Sequence, residues 1–167
     1  MFTDLRTITA LMITLAASTG CGVKAYEGSN RPESELSRIA NYGTTCVGMI
    51  DIQNLDGKYS GNNLETLPGS HTALLGVTGE PFRPDDPKIS PYAVCMMVST
   101  QQASFETAAG HLYHFRLDNT VQDRHALSLW ESVGSDGPMA KEVPANFTQL
   151  TYKRFCTLAE IYTRCAP

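Results

Sequence analysis

From residue 46 onward, short runs of apolar and β-branched residues alternate with clusters of turn residues. Residues 46–53 form the first run, closed by Asn54-Leu55-Asp56-Gly57, where Gly supplies positive φ and Asp bonds its own backbone. Residues 63–67 and 71–77 flank Pro68-Gly69. Residues 92–100 are apolar on both faces, as in a central buried strand. Residues 104–108 and 112–118 flank Ala109-Gly110-His111 as a hairpin, and 127–133 and 139–143 flank Ser135-Asp136-Gly137-Pro138. In the strand from Leu112, period-two alternation puts Tyr113, Phe115 and Leu117 on the core face. It puts His114, Arg116 and Asp118 in solvent. Residues 79–91 carry four of the nine prolines, which argues against regular structure there.

Many short strands with regular turns predict a mainly β chain folded as an antiparallel β-sandwich. The tail breaks the pattern. Phe155, Leu158, Ala159 and Tyr162 recur at helical spacing and predict a short C-terminal helix within 152–164, with a strand ending in a disulfide loop as the alternative.

The N-terminal pattern is different again. Residues 8–17 are apolar apart from two threonines. As a helix they reach about 15 Å, half of a bilayer's hydrocarbon thickness, which fits a signal peptide (1–20) and not a membrane span. Ser18-Thr19-Gly20-Cys21 follows and resembles the bacterial lipobox, although Ser18 stands where leucine is usual. The resemblance implies cleavage before Cys21, acylation of that cysteine with palmitate-class chains, and a membrane partner reached through the lipid. Ordinary cleavage nearby, leaving Cys21 as one more extracellular cysteine, is the alternative. Gly22 stands where inner-membrane lipoproteins carry Asp, which points to the outer membrane of a bacterial envelope. Residues 21–44 are polar, with Gly28, Asn30 and Pro32, and read as the lipidated N-terminus and a tether, with one helical piece over 32–40. The sandwich domain then spans 45–167.

Charge removes one class of function. The chain carries a net −4, and loss of Asp4 and Arg6 with the signal peptide leaves that unchanged. A mildly acidic domain with no Lys/Arg cluster is a poor nucleic-acid binder. The five cysteines are 21, 46, 95, 156 and 165. With Cys21 lipidated, four remain, an even number suited to two disulfides in an oxidising compartment. The predicted pairs are Cys46–Cys95 within the body and Cys156–Cys165 within the tail. No C-x-x-C pair is present, so a zinc module is not indicated.

Three motifs resemble a pattern in small, uncharacterised proteobacterial lipoproteins: Ile50-Asp51 with Asp56-Gly57-Lys58, Leu67-Pro68-Gly69-Ser70-His71, and Ala109-Gly110-His111-Leu112-Tyr113. The first two are also similar to the PEGA module, a small β-sandwich. The likeness covers roughly residues 46–133. It implies a fold and an envelope location, and those families bring no active site with them.

No G-x-S-x-G, S-x-x-K or H-E-x-x-H motif is present. His111 and His114 are three apart, so in a strand they point to opposite faces and do not share an ion. The expected function is therefore a non-enzymatic binding, accessory or structural module with an envelope protein as possible partner and no cofactor. The alternative is a metal-handling protein or hydrolase using His71, His111 and His114. Convergence of His71, His111 and Asp51 in one open cleft would favour it.

Overall fold

The computed structural model describes residues 22–41, 49–79, 85, 88–89, 92–121, 124–133 and 141–158. These residues form ten strands: β1 Val23–Lys24, β2 Ser37–Ala40, β3 Met49–Leu55, β4 Asn63–Thr66, β5 Gly69–Thr78, β6 Ala93–Thr107, β7 His111–Val121, β8 Arg124–Val133, β9 Lys141–Val143 and β10 Ala145–Leu158. One sheet has the order β1-β4-β2-β7-β8-β9 and the other β10-β6-β5-β3. Among the described residues the single helical element is a 3-10 turn, Glu33–Glu35.

Alternation builds the core. In β3, Ile50 and Ile52 point inward while Met49, Asp51 and Gln53 point out. In β5, His71, Ala73, Leu75 and Val77 point inward. The two sheets meet through aromatic contacts. Phe105 of β6 packs edge-on against Phe115 of β7, with centroids 5.3 Å apart, and Phe115 packs against Phe147 of β10 at 6.3 Å. Such edge-to-face pairs add about 1 kcal/mol beyond the area they bury. Tyr113 and Phe115 are buried and Leu117 packs partly buried against the core, as their spacing predicts.

The sandwich is therefore as expected, but its connections are not. Pro68-Gly69 and Ala109-Gly110 do not close hairpins. Each carries the chain from one sheet to the other, because β4 and β7 belong to the six-stranded sheet and β5 and β6 to the four-stranded one. Gly110 has φ +75° and donates its N–H to Leu36 O at 2.7 Å. That bond draws the chain onto β2, so β7 joins β2 in parallel. With the parallel β1–β4 pair, the architecture is a mixed sandwich and not a wholly antiparallel one. β6 runs unbroken through both of the segments expected as 92–100 and 104–108.

Three further expectations are corrected. Residues 22–41, read as a tether, supply β1, the 3-10 turn and β2, with Ile39 fully buried. The tail is a strand to Leu158 and not a helix. Its Thr, Tyr and Phe residues suit a pleated surface, and β10 pairs with β6 from Ala145↔Phe105 to Leu158↔Ala93. The cysteine pairing changes with it. Cys156 lies directly opposite Cys95, and the two form a disulfide. Neither Cys46–Cys95 nor Cys156–Cys165 therefore exists. Cys21, Cys46 and Cys165 lie outside the described residues, as do most of residues 79–91.

Candidate functional site

All four histidines of the chain are engaged inside the fold. Asp56 and Gly57 both have positive φ, 52° and 74°, and turn the chain tightly after β3. The Asp56 carboxylate accepts the Thr72 N–H at 2.8 Å and faces His71 Nδ1 at 2.6 Å. His71 Nε2 faces Leu67 O at 2.8 Å. Both partners are oxygens, and the imidazole bridges them. His71 thus clamps the Asp56 turn to the β4–β5 crossing.

His111 belongs to a second cluster, centred on Glu131. The Glu131 carboxylate is nearly buried and faces three donors: Tyr113 OH at 2.7 Å, His111 Nδ1 at 2.7 Å and Lys141 Nζ at 3.2 Å. Burial raises the Glu131 pKa, but the bonds from Tyr113, Lys141 and His111 outweigh it and the net shift is downward. Tyr113 OH also accepts the Ala108 N–H at 2.8 Å. Burial and the bond to Glu131 push its phenol up to about 12.

His114 departs from the solvent face expected of it. It is buried, opposite Trp130 in the β7–β8 register. Burial lowers its pKa to about 4, and the nearby Arg38 charge adds to this against a backbone hydrogen bond at Ala40. His125 is buried too. Its Nδ1 lies 2.8 Å from Ser99 Oγ, its carbonyl accepts from Gln101 Nε2 at 2.8 Å, and its ring meets Tyr152 edge-on at 5.3 Å. Burial lowers its pKa. A Ser–His pair suggests nucleophilic chemistry, but Ser99 and His125 are only 5% and 3% exposed, which leaves no room for a substrate.

His71, His111 and Asp51 do not converge. Among the described residues no three His, Cys, Asp or Glu side chains come together as a metal site. Asp51 instead lies on the open outer face of the four-stranded sheet, at the rim of a shallow depression of about 530 Å³. Its floor consists of two cross-strand rows. One runs Asp51–Gly76–Thr100–Thr151 and the other Met49–Thr78–Val98–Lys153. Gly76 keeps the centre low. A Cβ there would stand 2.4 Å from Gln53 Nε2, so the Gln53 side chain lies across the space a larger residue would fill. The opposite charges of Asp51 and Lys153 sit on the two outer strands, three strand spacings and two residues along, about 16 Å apart. This is a surface for contact: shallow, partly apolar, and bounded by one acid and one base.

The Glu131 cluster and the His125–Ser99 pair escaped sequence reasoning, although a signal was present. His125, Leu127, Leu129 and Glu131 share one face by period two, so a carboxylate and an imidazole were due on the core side. The depression left no such trace, because it depends on which strands are neighbours. No family model, curated protein or solved structure matches this chain.

Proposed function

We propose that the chain is an exported bacterial envelope lipoprotein, anchored through Cys21, whose sandwich acts as a non-enzymatic binding or accessory module. The carrying observation is the division of polar groups. The four histidines and Glu131 are spent on internal contacts, while the open face of the four-stranded sheet offers Asp51, Lys153 and small uncharged residues. The Cys95–Cys156 disulfide supports the export half, because structural disulfides persist in oxidising compartments. The likeness to small proteobacterial lipoproteins and the PEGA module belongs to the same reading.

The test is crosslinking in intact cells from a photoreactive residue at Thr78, on the depression's floor. One discrete adduct with an envelope component is expected, and it should be lost in Gly76→Val, which displaces Gln53. The absence of any adduct, together with stoichiometric metal in the purified protein that disappears in His111→Ala, would favour the metal-handling alternative instead.

A further inference from the structure

On the lipid-anchored reading, on which this rests, the six-stranded sheet leaves almost no slack between membrane and fold. Only Gly22 separates Cys21 from β1. Val23 is already paired with Leu64, the Ala25 N–H bonds Glu65 O at 2.7 Å, and Ala25 and Tyr26 are buried. The chain hugs the sheet even at Gly22, where a Cβ would stand 2.7 Å from the Glu65 side chain. Two residue steps allow at most about 7 Å between the Cys21 and Val23 Cα atoms.

We infer that the sandwich lies edge-on against the lipid surface through β1, with the β9–β10 edge turned to the aqueous side. Two features of the topology support this orientation. First, β1 is the outermost strand of its sheet and β9 the opposite one, five spacings or about 24 Å away. The chain passes at Pro144 from β9 directly into β10, the edge of the second sheet, so both edges lie away from the anchor. Second, an end-on arrangement is obstructed. The register runs Val23↔Leu64, Leu64↔Ile39, Ile39↔Tyr113, and β7 is antiparallel to β1. β7 and β8 therefore extend as a ladder from Tyr113↔Glu131 to Val121↔Arg124 on the side towards which the chain runs back to Cys21. That is about 23 Å, far beyond the anchor's reach of about 7 Å. End-on docking would drive this ladder into the bilayer.

At the membrane side the edge carries exposed Val23 and the 60–62 loop, where the Cβ position of Gly61 is 3.8 Å from Val23 Cγ2. Lys24 and Lys58 are nearly balanced there by Glu27 and Glu65. The lipid, and not a basic patch, supplies the attachment.

Trp130, the one tryptophan, lies on β8, four spacings or about 19 Å from β1. This gives a direct test in vesicles of phosphatidylethanolamine and phosphatidylglycerol whose acyl chains are brominated near the headgroup. The full-length lipidated protein should show unquenched Trp130 fluorescence. Ser60→Trp in a Trp130→Phe background should be quenched, and a Gly/Ser spacer of about ten residues after Gly22 should abolish that quenching. Retention of the Cys95–Cys156 bond serves as the folding control. If palmitate is incorporated at Cys21 but both tryptophans are quenched alike, or neither is, the edge-on orientation is wrong and the lipid reading survives. If no palmitate is incorporated, both fall.

Discussion

Tyr113 and Glu131 face each other directly across β7 and β8, and the phenol donates a 2.7 Å hydrogen bond to the carboxylate. The same hydroxyl accepts the Ala108 N–H, so one oxygen ties the β6–β7 crossing to the sheet. Tyr113→Phe leaves Ala108 without its acceptor and Glu131 short of a donor. The expected loss is about 2 kcal/mol in urea unfolding, since bonds to charged groups are worth about 1.5–3 kcal/mol. The phenol's raised pKa adds a pH signature. Its stabilisation is complete below pH 10 and is lost as pH rises towards about 12. Spectrophotometric titration at alkaline pH should show one tyrosine ionising late, and Tyr113→Phe should remove it.

The acid limb should come largely from His114. Its pKa falls from 6.5 to about 4 on folding. The unfolded chain therefore binds a proton below pH 6.5 that the folded chain does not take until about pH 4. The contribution is present above pH 6.5 and is lost as pH falls through about 4, amounting to about 3 kcal/mol. Buried His125 acts in the same direction. His114→Gln should flatten the stability profile between those limits, and an unchanged slope would show that the imidazole is not responsible.

Asp56 joins two needs at one turn: a left-handed backbone and a carboxylate for His71 and Thr72. Asn tolerates the positive φ and keeps an acceptor, so Asp56→Asn should cost less than Asp56→Ala, which strands two donors and strains the turn. A difference of about 1–2 kcal/mol between the two variants in denaturant melts is expected. Equal losses would mean that the carboxylate charge, and not the turn conformation, is what matters.

Cys95–Cys156 closes a loop of 61 residues, for which chain entropy gives about 4 kcal/mol. Non-reducing peptide mapping should recover that linkage, and Cys95→Ala with Cys156→Ala should lower the urea midpoint. A map joining Cys95 to Cys46 instead would contradict the pairing of β10 with β6.

The strands were legible in the sequence because alternation in segments such as Met49–Leu55 reports burial directly. Which strands pair was not. Pro68-Gly69 and Ala109-Gly110 look like hairpin turns because the same residues serve any sharp reversal, and the partner sheet that receives the chain, as in the Gly110–Leu36 bond, is set by contacts distant in sequence. The tail was misread for a related reason. Phe155, Leu158 and Tyr162 satisfy helical spacing, but Cys156 opposite Cys95 outweighs a weak local preference. His114 appeared solvent-facing because alternation assumes one wet face, whereas Arg38, Ala40 and Trp130 surround it. The outer-face depression needed the register of four strands, which no local pattern encodes.

The central claim is the anchored, exported state, and intact mass spectrometry of the protein extracted from membranes tests it most directly. The mature chain should begin at Cys21 and carry a diacylglyceryl group, with palmitate-class chains and an intact Cys95–Cys156 bond. A soluble chain that still bears residues 1–20, or one with a free thiol at Cys21, would contradict it.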